Sequence, residues 1–207
     1  MAQYPLLLAV IAVCQCLTVS AHALPPEYQA ALTRAEQRGR LIYEFDQAAW
    51  ATTDDIRSKV PDISKLGMAG WITEKQGDIV KITYYGLKGQ VPFAIYKADL
   101  KGNAIITSRL LTANDDQRFL PAQIRLAQAR DVAGREIKEA PCTTAPFNTV
   151  VLPPDTPTGP VPVYFLSAQV ATGEYPMGGS FEIDVGPGGQ VVSSRRFMKS
   201  CSTIDLK

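Results

Sequence analysis

Between residues 71 and 111 one pattern recurs: a short run rich in β-branched and aromatic residues, then a tight turn bearing glycine. Residues 71–75 and 79–85 flank Gln76-Gly77-Asp78. Gly86-Leu87-Lys88-Gly89 leads into 91–100, and Lys101-Gly102-Asn103 leads into 104–111. Links this short cannot carry a parallel crossover, which takes about a dozen residues or more. The segment therefore predicts a four-stranded antiparallel meander. Pro92 falls near a strand start, where its missing donor costs least.

The last third is β as well, with strands predicted over 148–152, 161–168, 181–185 and 190–198. The 161–168 run is apolar on both faces, so it should be a covered central strand with Val163, Phe165 and Leu166 buried. Phe181, Ile183 and Val185 alternate with Glu182 and Asp184, which predicts the apolar three inward and the carboxylates outward. Segments 93–111 and 181–198 echo each other weakly, each reading strand, glycine turn, strand. Between two of these strands, residues 153–160 hold four prolines and form a stiff loop.

Helical spacing appears at two places. Tyr28, Ala31, Leu32, Ala35, Ile42, Phe45 and Ala49 recur at that period, with Pro26 suited to a first turn. A helix is expected over 26–50. Thr52-Thr53-Asp54-Asp55 then reads as the cap of a second short helix ending before Pro61. Asn114-Asp115-Asp116 reads as the start of a later helix carrying Leu120, Ile124 and Ala127 and ended by Gly134. The fold class is α+β: a long N-terminal helix packed on mainly antiparallel sheet, with a second helix between two β regions. A single domain is expected over 24–207, with sub-lobes 24–140 and 141–207 meeting near Pro141.

Residues 6–13 (LLLAVIAV), extended by Cys14, Cys16 and Leu17, form an apolar stretch of about 12 residues, too short for a bilayer core of ~30 Å. Ala21-His22-Ala23 places small residues where signal peptidase reads them. Residues 1–23 are therefore expected to be a cleavable signal peptide, although 1–5 carry no Lys or Arg. The product would begin at Leu24, be periplasmic or secreted, and not span a membrane.

That cleavage removes the chain's single histidine, His22, and two of its four cysteines. Ser-His-Asp and Cys-His nucleophilic sites, His-ligated zinc and His-held haem are then excluded. No cofactor is expected. Cys142 and Cys201 remain, and in an oxidising compartment a lone pair is expected to form a disulfide. With 21 basic and 20 acidic residues, the net charge of +1 gives no electrostatic case for nucleic acid.

Few residues suggest chemistry. Asp46 and Trp50 share a helix face, and Asp54 and Asp55 follow. Three carboxylates beside an indole suit an acid/base pair against a sugar-stacking platform. Against this, capping accounts for Asp54 and Asp55, and core packing for Trp50. Arg40 and Arg57 are near in sequence, and any contact with them would lower the pKa of Asp46. Trp71 and Tyr85, with Tyr84 and Tyr96, could line a ligand groove or simply pack the core. Arg195-Arg196 lies in a strand. The inward arginine should pair with Glu182 or Asp184, and Arg196 is a candidate anion contact. No metal-ligand spacing is present.

Residues 43–50 (YEFDQAAW) with Thr53-Asp54, 175–179 (YPMGG) and 197–201 (FMKSC) resemble secreted proteins of proteobacteria for which no activity is known. The resemblance carries no site residue over. The leading expectation is a non-catalytic exported protein that binds another protein or a component of the cell envelope. The alternative is a carboxylate-based glycan hydrolase using Asp46 with Asp54 or Asp55. A third reading, an inhibitor or immunity-type protein, would present the 153–160 loop.

Overall fold

The computed structural model describes residues 25–138 and 140–205. The expected signal peptide lies outside them. The chain divides into two compact units, Met1–Ala35 and Glu36–Lys207. In the first, residues 26–35 are helical and exposed, Tyr28 and Leu32 included, so the apolar stripe there stays uncovered.

Helix α1 runs unbroken over Pro26–Lys59. The expected cap at Thr52–Asp55 is mid-helix instead. The Thr52 hydroxyl donates to the Ala48 carbonyl at 2.6 Å, and that of Thr53 to the Ala49 carbonyl at 2.7 Å. Bonding back to the preceding turn lets threonine sit inside a helix rather than start one. Asp54 and Asp55 consequently lie near the C-terminal end, where they pair with Arg57 and Lys59.

The meander forms as β1 (Gly70–Gln76), β2 (Ile79–Lys88), β3 (Val91–Lys101) and β4 (Ala104–Leu110), antiparallel and in that order. Helix α2 spans Pro121–Arg135. Asp115 and Asp116 do not begin it. Asp115 accepts from the Thr112 amide and hydroxyl, and Asp116 pairs with Arg118, so both shape the preceding turn. Leu120 is an exposed N-terminal flank, not part of a buried stripe. The buried face is Leu126, Ala127, Ala129 and Ala133.

A second antiparallel sheet contains β5 (Asn148–Val151), β6 (Val161–Leu166), β8 (Phe181–Val185) and β9 (Val191–Arg196), again in chain order. Between β6 and β8 lies β7 (Glu174–Met177), which pairs with the terminal β10 (Ser202–Asp205). Cys142 and Cys201 are bonded, with Cα atoms 5.4 Å apart, tying the approach to β5 to the start of β10.

The two sheets repeat one plan, a helix followed by four antiparallel strands. The repeat reaches residue level in the β3–β4 and β8–β9 hairpins. Asp99 faces Thr107 and Leu100 faces Ile105, while Asp184 faces Ser193 and Val185 faces Val191. In both, the register shifts at the step after the aspartate.

Neighbouring residues on one strand fall into different cores. Tyr84, Val150 and Tyr164 pack with Phe45, Ala48, Ala49 and Ile56 of α1. Tyr85, Val151 and Phe165 pack with Leu126, Ala127, Ala129 and Ala133 of α2. Since successive side chains point to opposite faces, α1 and α2 cover opposite sides of the sheets. Each fully buried large side chain contributes roughly 1.5–3 kcal/mol of transfer free energy.

Covering both faces overturns one expectation. Glu182 points away from the α2 core, yet is 4% exposed. It accepts from the Tyr164 hydroxyl at 2.8 Å and from Arg195 at 2.7 Å, and Arg38 lies 3.7 Å away. Arg195 takes Glu182 as its partner, as expected, but it does so from the exposed side rather than as an inward arginine. Val163 and Phe165 are buried as expected, whereas Leu166 is only half-buried. The proline-rich loop is pinned by Arg38 on Asp155 and by Arg125 on the carbonyls of Pro157 and Gly159.

Candidate functional site

On α1, Asp46, Ala49, Trp50, Thr53 and Arg57 recur at spacings of three and four, which places them on one stripe. The stripe lies over the seam where β1 of the first sheet contacts β5 of the second. Trp71 from β1 and Asn148 from β5 complete a cleft of about 220 Å³.

Its walls are fixed from behind. Trp71 faces Tyr84 across β1 and β2, with ring centroids 5.6 Å apart. The Tyr84 hydroxyl donates to the Ala49 carbonyl at 2.9 Å and lies 3.1 and 2.8 Å from the hydroxyls of Thr52 and Thr53. A buried phenol therefore locks the cleft-lining turn of α1 onto the meander, and burial pushes its pKa up.

Arg130 of α2 reaches the seam from the other face. Its guanidinium lies 4.0 Å from the Trp71 ring centroid and donates to the Thr149 carbonyl at 2.9 Å. Gly70 makes this passage possible. A Cβ there would stand 2.6 Å from Arg130 Nε and 3.0 Å from the Tyr85 hydroxyl. Burial pushes Arg130 down to about 10, partly offset by Tyr85, Tyr84 and Asp131, so it stays cationic at neutral pH.

Among the described residues Asp46 is the one carboxylate lining the cleft. Burial raises its pKa, and hydrogen bonds from Trp50 and Asn148 offset part of that rise. The lowering that contact with Arg40 or Arg57 would bring does not occur, because those arginines pair with Glu36 and Asp54. Trp50 is 44% exposed, so its ring is open to a ligand rather than packed into the core.

The other candidates do not converge here. Asp54 is exposed and paired with Arg57. Asp55 turns to the meander, where it accepts from the Tyr96 hydroxyl at 2.7 Å and pairs with Lys59. Desolvation works against its charge, but hydrogen bonds from Lys59, Tyr96 and Ser108 outweigh it and lower the pKa. Tyr85 is fully buried, its hydroxyl directed at Ala127 and Asp131, and lines no surface. Tyr84 and Tyr96 are likewise core residues. Arg196 sits on β9, the sheet edge opposite β5, and does not line the cleft.

A wider depression of about 560 Å³ runs along Lys97, Asp99, Thr107, Arg109 and Asp116. Two of its charges are committed internally, Arg109 to Asp115 and Asp116 to Arg118. It offers no open aromatic face, so the smaller indole cleft is the stronger candidate.

Asn148 and Arg130 were not singled out by the sequence, and Thr53 and Arg57 were read as a capping residue and as a neighbour of Asp46 rather than as lining of a cleft. Unbroken helical periodicity through residue 57 would have found Thr53 and Arg57. Nothing local marks Asn148 or Arg130, which reach the cleft through long-range packing. Among the described residues no helix is long and apolar enough to cross a membrane. Comparisons with protein-family models, curated proteins and solved structures found no match to this chain.

Proposed function

We propose that the protein is exported through a cleaved signal peptide and acts as a non-catalytic binding protein of the cell envelope, recognising its partner at the indole cleft. One observation carries this reading: the cleft joins an open tryptophan to a single carboxylate. Hydrolysis by paired carboxylates needs a second one, about 5–10 Å from the first. The two candidates for that role are directed elsewhere, Asp54 onto Arg57 and Asp55 onto Tyr96 and Lys59. This ranks the glycan hydrolase below the binding protein. The Cys142–Cys201 disulfide supports an oxidising compartment, since such bonds persist outside the reducing cytosol.

The test is capture from the periplasm of a proteobacterial host with a photo-crosslinker at Thr53, on the cleft wall. The expected result is a discrete envelope component that is lost when Trp50→Ala is added. Capture indifferent to Trp50 would overturn the site. N-terminal sequencing of the exported protein should begin at Leu24-Pro25-Pro26, and retention of Met1 would overturn the export reading.

A further inference from the structure

We infer that the cleft formed by Trp50, Asp46, Asn148 and Trp71 takes one uncharged pyranose residue of an envelope glycan, stacked on Trp50 with its hydroxyls on Asp46 and Asn148. The assignment rests on the binding reading above and names its ligand class.

Charge decides against the other ligands an indole cleft serves. Two tryptophans and a carboxylate would suit a cation. Here one face of Trp71 already carries the Arg130 guanidinium at 4.0 Å, and Arg57 lines the rim. An incoming ammonium would meet the Arg130 charge behind Trp71 and the Arg57–Asp54 pair at the wall. An anion would meet Asp46 at the cleft wall. A neutral ligand meets neither obstacle.

Hydrogen-bonding capacity then selects a polyol. An ionised carboxylate offers about four lone-pair sites, and Asp46 lines the cleft beside Trp50 and Asn148. Asp46 thus keeps acceptor sites for hydroxyl protons, and the Asn148 amide adds a donor and an acceptor beside it. A pyranose matches this set, with an apolar C–H face for the indole and hydroxyls around its edge. Size agrees. The cleft, about 220 Å³, falls below the ~300–1,000 Å³ of sites for drug-sized ligands and suits one ring of a longer chain.

The experiment titrates the full processed protein with β-1,4-linked tetrasaccharides of glucose and of N-acetylglucosamine, following tryptophan emission and calorimetric heat. A tetralysine peptide serves as the cationic comparator. Saturable binding of at least one tetrasaccharide is expected, with no response to tetralysine. Trp50→Ala should weaken it about tenfold or more. That residue is exposed enough for the fold to survive, and unchanged thermal unfolding checks this. Asp46→Asn, which keeps the shape and exchanges an acceptor for a donor, should weaken it about tenfold. Binding of tetralysine instead, no binding of either sugar at millimolar concentration, or affinity indifferent to both variants overturns the assignment. If the sugars fail while crosslinking at Thr53 still captures a Trp50-dependent partner, only the ligand class falls. If a tetrasaccharide is cleaved, the non-catalytic reading falls with it.

Discussion

The Tyr164 hydroxyl donates a 2.8 Å hydrogen bond to Glu182, a carboxylate almost sealed from solvent between β6, β9 and α1. Arg195 adds a second bond at 2.7 Å, and Arg38 brings a second positive charge to 3.7 Å. Removing the carboxylate strands the buried Tyr164 phenol, while Arg38 keeps Asp155 and Arg195 stays open to solvent. Glu182→Ala should therefore cost about 1–3 kcal/mol, mostly through the unpaired phenol. Glu182→Gln keeps an acceptor for Tyr164 and should cost less. Urea unfolding of both variants checks the order, and equal losses would mean that volume, not polarity, matters there.

Phe165 stacks on Phe181 with centroids 4.9 Å apart, and Phe147 meets both edge-on. Both stacked rings are buried in the α2 core. Phe165→Ala leaves a cavity in the centre of the second sheet and should destabilise by roughly 3–5 kcal/mol. A loss under about 1 kcal/mol would mean that the neighbouring rings collapse into the gap.

The strands were legible because their signal is local. Alternation and glycine turns placed β1 to β4 within a few residues, and the doubly apolar 161–168 run was rightly read as a covered strand. Errors came where a local rule competed with long-range packing. Thr52-Thr53-Asp54-Asp55 has the composition of a cap, but Tyr84 draws those threonines into a mid-helix bonding pattern. Glu182 alternates like a solvent-facing residue, yet α1 covers that face and supplies Arg38. Part of the site was visible, as Asp46 and Trp50 on one helix face and Trp71 among the aromatics of the meander. Asn148 and Arg130 were not, because residues so distant in sequence leave no joint pattern. The ribbon of β7 and β10 went unread for the same reason.

That ribbon depends on the Cys142–Cys201 bond. A two-stranded pair is marginal by itself, and β10 is exposed throughout. Closing a loop across a separation of 59 residues should contribute about 4 kcal/mol in the chain-entropy model. The double variant Cys142→Ser/Cys201→Ser should lose stability of that order. Its amide exchange should rise first at Ser202–Asp205. Unchanged exchange there would mean that the β7 pairing holds β10 without the crosslink.

Asp46 makes stability pH-dependent in a direction opposite to an ion-paired carboxylate. Burial raises its pKa in the folded state, and the bonds from Trp50 and Asn148 only partly offset this. The folded protein therefore holds this proton more tightly than the unfolded chain, whose aspartates titrate near ~3.9. The resulting stabilisation is fully present below that unfolded value. It is lost as pH rises through the higher folded value, beyond which the folded state carries a partly desolvated charge. Asp46→Asn removes the charge and keeps the shape. The variant should be more stable than the parent at pH 7, and the difference should shrink as pH falls through the folded value towards ~3.9. Paired urea titrations across that window measure it. A variant less stable than the parent at pH 7 would mean that the hydrogen bonds to the ionised carboxylate outweigh its burial.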